Sequence, residues 1–141
     1  MIRIPSTYSP RLNVLGFFSK TQPAFFQQTE KTVNSQTVIA AFNAFVAQPS
    51  DEETWRIVIM DNAPIHHSQA FRNCIEDWMI KRVLIHYLPA YCPELNLIEI
   101  LWRRIKYQWL PLSSYTNFST LRENVTHILQ NLGKKYTLTF V

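Results

Sequence analysis

The feature that most constrains this chain is a short apolar run that ends in a polar turn. Residues 55–60 (WRIVIM) have the length of one strand and are largely apolar on both of its faces, which is typical of the centre of a covered sheet. The turn that follows, residues 61–66 (DNAPIH), begins with Asp61. A second block, residues 88–99 (LPAYCPELNLIE), opens an amphipathic helix and ends in Glu99. A carboxylate after a strand and another on the first turn of a helix can together hold a divalent metal.

The remaining segments alternate between strand and helix patterns. Aromatic and branched runs with polar flanks predict a hairpin over residues 12–19 and 24–28, and residues 83–88 predict a further strand. Residues 136–141 alternate like a last strand. Apolar residues at helical spacing predict four helices. These helices begin behind caps or turns at Asn34 or Ser35, Ser68, Pro93 and Thr120.

The two polar blocks together resemble a known family. The pattern DNAxIH, then a short helix and strand, then LPxYxPELNxIExxW, resembles the catalytic domain of mariner-like insertion-sequence transposases of the DDE superfamily. Residues 11–16 and 34–37 also resemble family segments that precede the second acid. The resemblance implies an α/β fold with an RNase H-like mixed sheet flanked by helices. It also implies that Asp61 and Glu99 are the second and third catalytic, metal-binding acids, that Mg²⁺ or Mn²⁺ is the weakly bound cofactor, and that DNA is the substrate.

The chain departs from the family pattern in two ways. Ala90, Cys92 and Leu97 stand where Pro, Ser and Pro are commoner, which affects the stiffness of the loop rather than the metal chemistry. In addition, the first catalytic aspartate of the family ends a strand, and that strand precedes the family segment that residues 11–16 resemble. In this chain no Asp or Glu precedes Glu30. We therefore expect residues 1–141 to form a single DDE transposase catalytic domain that is truncated at its N-terminus, lacks the first strand and is inactive alone.

Charge is distributed unevenly along the chain. The net charge is +4, but residues 51–100 hold eight of the ten acids and both flanks are basic. Basic flanks around an acidic centre suit a surface that attracts DNA phosphates and a centre that attracts Mg²⁺, although ordinary solvated charge explains the same pattern. Two cysteines without paired spacing, and no apolar run of membrane-span length, favour a cytoplasmic protein. The family resemblance implies that it associates with the nucleoid when it binds DNA.

Asp61 and its neighbours have structural as well as chemical interpretations. Asp61 can simply close an Asx-turn, although ligands also bind at the carboxyl ends of strands in open α/β sheets. Asn62 can orient a carboxylate or a metal-bound water. His66 can hydrogen-bond a phosphate or order the Asp61 loop, and His67 is expected to be exposed. Because adjacent histidines lack the i, i+4 spacing of helical zinc ligands, we do not expect structural zinc.

Glu99 also has alternatives. Behind an N-cap at Asn96, Glu99 occupies the N3 position and can complete a capping box, or it can pair with Arg103 one turn further on. Its place beside the apolar Ile98 favours a position near the sheet edge instead. Glu94, in the same loop, is the reserve candidate.

Three basic residues, Arg103, Arg104 and Lys106, follow Glu99 on the same predicted helix. They can contact DNA phosphates, and a solvated basic helix face is an equally good account of them.

The resemblance implies two-metal phosphoryl transfer, in which cleavage at the element ends is followed by strand transfer into target DNA. Two alternatives stay open: a non-catalytic transposase remnant that acts as a nucleic-acid-binding or oligomerisation module, and an RNase H-like nuclease.

In the resembled fold the first strand lies between the hairpin and the strand that ends at Asp61, so its loss leaves two open edges. The expected partners are therefore a second copy of the chain, in a homo-oligomer, or a complementing N-terminal transposase fragment. Residues 136–141 are another segment able to pair with an edge.

Overall fold

The structure is a computed structural model that describes residues 11–20, 22–49, 53–89 and 96–138. In chain order its strands and helices are β1 Asn13–Phe17, β2 Phe25–Thr29, α1 Ser35–Val46, β3 Arg56–Met60, α2 Gln69–Ile80, β4 Val83–Tyr87, α3 Leu97–Arg104 and α4 Phe118–Gln130. Short helical turns join some of them: 3-10 turns at Pro64–His67 and Leu112–Thr116, and a π turn at Ile105–Trp109. The predicted α/β class is confirmed, and the arrangement is consistent with an RNase H-like fold.

The hairpin of β1 and β2 packs its two faces against different helices. On one face, Phe17 stacks on Phe45 of α1, with ring centroids 4.1 Å apart. On the other face, Gly16 lies opposite Phe26 in the antiparallel register. A Cβ at Gly16 would stand 2.6 Å from the Phe26 ring and 3.1 Å from the side chain of Ile98. Glycine is therefore required at this position for α3 to approach the hairpin.

The first apolar core lies between α1, α2 and one face of the β3–β4 sheet. β3 and β4 pair in parallel, with Met60 opposite Tyr87. Because the strands are parallel, the segments that follow them emerge at the same edge of the sheet, which places the Asp61 turn beside Leu88. The buried members of this core are Val38, Phe42, Val46, Met60, Phe71, Trp78 and Val83.

A second core joins α3, the π turn and α4, and its buried residues are Leu101, Ile105 and Ile128. Polar contacts also join α4 to the hairpin side of the molecule. The Gln28 amide donates to the Thr126 hydroxyl at 3.0 Å, and Arg122 forms an ion pair of 2.7 Å with Glu30. The helix that carries Glu99 is thus held between the hairpin and α4.

The expectation that β3 is covered on both faces was wrong. Its side chains alternate, so that Val58 and Met60 face the first core while Ile57 and Ile59 are 61% and 50% exposed. Leu84 of β4, opposite Ile57 in the register, is also exposed. A run of apolar residues satisfies the sequence pattern of a covered strand whether or not another element packs on its second face. Within the described residues, this face is open.

The strands form two separate two-stranded sheets, β1–β2 and β3–β4. No described strand joins them into the single mixed sheet that the resemblance implies. The expected loss of the first strand stays a prediction.

The C-terminal part differs from the sequence prediction. Helix α4 is capped by Asn117, whose side chain accepts the backbone N–H of Thr120 at 2.8 Å, so it begins before the predicted cap at Thr120. Tyr136 makes an isolated bridge to Leu132. Residues 136–138 therefore pair with neither sheet, and residues 139–141 lie outside the described ranges.

Among the described helices, none is both long and apolar enough to span a membrane.

Candidate functional site

Asp61 lies at the C-terminal end of β3 with its side chain 53% exposed. One carboxylate oxygen, Oδ1, accepts the backbone N–H of Ala63 at 3.1 Å, which is the Asx-turn that the sequence offers as an alternative. The same oxygen lies 3.0 Å from Nδ1 of His66. Within the described residues, the second oxygen, Oδ2, has no hydrogen-bond partner. The turn therefore holds one oxygen and leaves the other available to a ligand.

His66 orders the Asp61 loop, one of the two roles expected for it. Its Nδ1 also lies 3.2 Å from the backbone carbonyl oxygen of Asp61. Because a carbonyl oxygen can only accept, Nδ1 must carry the proton and donate to both Asp61 oxygens. The Nε2 atom of His66 is then left for a different partner.

The side chain of Asn62 joins the ends of the two parallel strands. Its amide nitrogen donates to the carbonyl oxygen of Leu88, and its Oδ1 accepts from Nε2 of His67 at 3.1 Å. These contacts brace the loop, and none of them reaches the Asp61 carboxylate. They do not support the expected role of Asn62 in orienting a carboxylate.

Contrary to expectation, His67 is half-buried. Its ring stacks on Tyr87, with ring centroids 4.3 Å apart. The Tyr87 hydroxyl in turn donates to the backbone carbonyl oxygen of His66 at 2.6 Å. Burial raises the pKa of Tyr87, and the nearby charge of Arg72 offsets part of that rise. The phenol thus stays protonated, as its donor role requires.

Glu99 lies on the first turn of α3 and is half-buried. Asn96 is the N-cap residue, as predicted, but its side chain makes no capping hydrogen bond. Neither the capping box nor an ion pair with Arg103 is present. Across the described ranges, the Glu99 carboxylate has no hydrogen-bond or ion-pair partner.

Arg103, Arg104 and Lys106 are all exposed on α3 and the π turn after it. Arg104 donates to the side chain of Gln108 one turn later. None of the three forms an ion pair with a carboxylate in the part of the chain that the structure describes. Their charges are therefore available to a ligand.

The structure brings the predicted residues together in two groups. The first group lies at the end of β3 and consists of Asp61, Asn62 and His66. The second lies on α3 and the π turn after it and consists of Asn96, Glu99 and the three basic residues. Among residues of the described ranges, no three His, Cys, Asp or Glu side chains form a cluster able to hold a metal ion. The convergence of Asp61 and Glu99 stays a prediction, and Glu94 lies outside the described residues.

Sequence reasoning missed the contribution of Tyr87 to the Asp61 loop. A signal for it exists, because Tyr87 lies at the C-terminal end of the strand predicted over residues 83–88, which follows β3 and one helix and would therefore run parallel to β3. Residues that end neighbouring parallel strands meet at one sheet edge, and a tyrosine there has an apolar ring and a polar tip for the loop above it.

Comparisons with known proteins bear on the same residues. A family model described as DDE superfamily endonuclease matches residues 4–122, a range that includes Asp61 and Glu99. Comparison with curated proteins and comparison with solved structures each found no match.

Proposed function

The chain belongs to the DDE superfamily endonuclease family, and from this premise we propose that it is the catalytic domain of a mariner-like insertion-sequence transposase. The reaction is metal-dependent cleavage of DNA at the element ends, followed by strand transfer into target DNA. The observation that carries the proposal is the Asp61 turn, which immobilises one carboxylate oxygen and leaves the other unpaired among the described residues.

The donor set suits a hard divalent cation. Mg²⁺ and Mn²⁺ prefer oxygen ligands, and Asp61 and Glu99 both offer carboxylate oxygens without a protein partner in the described ranges. Asp61 and Glu99 would hold the ion, while His66 keeps the Asp61 carboxylate in one orientation. When bound, the ion supplies Lewis-acid activation of the attacking hydroxyl and charge neutralisation at the scissile phosphate.

The proposed reaction uses three carboxylates, and no Asp or Glu precedes Glu30 to match the first of them. We propose that a complementing strand supplies it. Among the described strands β3 pairs only with β4, so its other edge is where such a strand can pair. Arg56 donates its N–H to Arg82 and Met60 accepts from Leu88, both on the β4 side. Since N–H and C=O of one residue in a parallel ladder point to the same neighbour, the backbone groups of Ile57 and Ile59 point away from β4. A complementing strand that pairs here ends next to Asp61.

Recognition of DNA is assigned to the three exposed basic residues after Glu99. Arg103, Arg104 and Lys106 can contact phosphates close to the acid that the reaction needs. Neutralising phosphates in this way adds affinity without sequence specificity.

The proposal is tested by metal binding and nicking with the purified chain. Mn²⁺ titration should detect weak binding, which Asp61→Asn and Glu99→Gln each abolish, whereas Glu76→Gln, an exposed acid on α2, leaves it unchanged. Supercoiled plasmid should not be nicked by the chain alone in Mg²⁺, because removal of one ligand of a preorganised site removes most transition-state stabilisation.

Two results would contradict these expectations. Equal Mn²⁺ binding by wild type and both site variants would remove the metal assignment. Robust nicking that Asp61→Asn abolishes would show that the chain supplies the third acid itself.

A second candidate is a non-catalytic transposase remnant that binds nucleic acid or oligomerises. It is favoured by the finding that, among the described residues, no three His, Cys, Asp or Glu side chains form a cluster able to hold a metal ion. This candidate predicts DNA binding without any Mn²⁺ binding that depends on Asp61 and Glu99. The same titration therefore separates the two.

A further inference from the structure

A shallow groove runs along the outer surface of the chain where α3 continues into the π turn. Its volume is about 270 Å³, and its lining residues are Ile100, Arg103, Arg104, Tyr107 and Gln108. The lining of the groove thus carries both positive charge and an aromatic ring. This combination is typical of surfaces that bind single-stranded nucleic acids.

Tyr107 is the unusual member of the groove, because its side chain is 80% exposed. The π turn explains how it reaches solvent: Leu110 donates its N–H to Ile105 at 2.9 Å, five residues back. Ile105 is buried and Trp109 half-buried, so that residues 106–108 all face outward. A tyrosine whose role is packing has a buried ring. The Tyr107 ring is exposed instead and makes no contact with another aromatic ring of the described residues.

The groove lies on the same helical stripe as the candidate catalytic acid. Glu99, Arg103 and Tyr107 follow one another at i, i+4 spacing and so share one face. At 1.5 Å per residue, Tyr107 is about 12 Å along the helix from Glu99. This distance equals roughly three to four nucleotides at the duplex spacing of about 3.4 Å per nucleotide of one strand, and fewer where the strand is unpaired and extended.

We propose that the groove binds an unpaired nucleotide of the DNA substrate, with the base stacked on Tyr107 and the flanking phosphates on Arg103 and Arg104. The proposal rests on the proposed function and adds a substrate form to it, namely DNA that is unpaired a few nucleotides from the scissile phosphate. Duplex DNA fits the groove less well, because base faces inside a duplex are covered by their neighbours. A duplex would engage the arginines and leave the Tyr107 ring without a partner.

The experiment measures binding of fluorescent DNA to the purified chain by anisotropy, without metal, so that catalysis plays no part. Two probes share one sequence: a full duplex and the same duplex with a central bubble of unpaired bases. We expect wild type to bind the bubble at least fivefold more tightly, since stacking of one base contributes about 5- to 150-fold in affinity. Tyr107→Ala should lose this preference, and Tyr107→Trp should keep it.

The matched control is Tyr115→Ala, which removes an exposed tyrosine outside the groove lining and should leave the preference intact. Arg103→Ala should weaken binding of both probes and reduce its salt dependence. A 2-aminopurine base in the bubble should be quenched on binding wild type and not on binding Tyr107→Ala. Because Tyr107 is exposed, circular dichroism should show the same fold for both.

Three results would overturn the proposal. Wild type that binds duplex and bubble equally would refute the unpaired nucleotide and leave the proposed function standing. If Tyr107→Ala still prefers the bubble to the duplex, the Tyr107 ring does not stack on the unpaired base. No binding to either probe would contradict the proposed function itself.

Discussion

At the scale of single residues, the Asp61 loop depends on a few side chains that each make more than one contact. His66 donates from one nitrogen to two oxygens of Asp61. Asn62 contacts Leu88 and His67 with the two ends of its amide. These hydrogen bonds, together with the packing of Ile65 on the first core, fix the direction of a carboxylate that is half exposed.

We expect His66→Ala to destabilise the chain by about 1–2 kcal/mol, because it removes these hydrogen bonds from a half-buried site. His86→Ala, an exposed histidine on β4, should change stability by less than about 0.5 kcal/mol. Urea denaturation followed by circular dichroism measures both. His66→Ala should also weaken Mn²⁺ binding through Asp61. Equal stability of the two variants would show that the His66 contacts carry no net free energy.

At the scale of elements, the helices differ in which side chains hydrogen-bond the free backbone groups at their ends. Asn34 and Thr37 form a capping box at the start of α1, and Ser68 and Asn117 cap α2 and α4 with their side chains. At the other end of α1, the Arg56 guanidinium donates to the carbonyl oxygens of Phe45 and Val46 at 3.0 Å. Only α3, among the described α-helices, starts without a side-chain cap, so packing on the hairpin and α4 holds it.

This difference predicts unequal costs for the same substitution. Asn34→Ala and Asn117→Ala should each lower the free energy of unfolding by about 0.5–2 kcal/mol, because each removes a side-chain cap. Asn96→Ala should cost less than about 0.5 kcal/mol. Thermal and urea unfolding of the three variants provide the comparison. A cost for Asn96→Ala as large as for the other two would mean that its side chain caps α3 in solution.

At the scale of the whole molecule, α1 covers both sheets on one side, while no described element covers the opposite face of β3–β4. Ile57, Ile59 and Leu84 are exposed there, next to an edge of β3 that no described strand pairs with. Exposed apolar surface beside open backbone groups favours pairing with another strand. We propose that a second copy of the chain, or a complementing fragment, pairs at this face.

We therefore expect the chain to associate as its concentration rises, and Ile59→Lys to suppress that association with little loss of stability. Val58→Lys is the matched control on the same strand, and it should unfold the chain because the charge enters the first core. Size-exclusion chromatography at several concentrations, together with urea denaturation, separates the two effects. Association that persists unchanged in Ile59→Lys would place the interface elsewhere.

Local properties of the sequence determined which elements form and which residues are candidates for the chemistry. Periodicity and caps predicted β1 to β4 and α1 to α4 to within a few residues, because amphipathic spacing and capping act over one or two turns. The Asp61 and Glu99 blocks were also recognisable, since each is a continuous string of residues. The prediction of α4 failed only at its start, where Asn117 competes with Thr120 as the cap.

Only the tertiary structure decided what those residues touch. The apolar run of β3 is compatible with one covered face or two, and the packing of other elements selects one. Likewise, the tautomer of His66, the stacking of His67 on Tyr87 and the free oxygen of Asp61 depend on the parallel register of β3 and β4. The requirement for Gly16 follows from the approach of α3 to the hairpin. Contacts between residues far apart in sequence depend on how elements are arranged, and that arrangement is not encoded in any short segment.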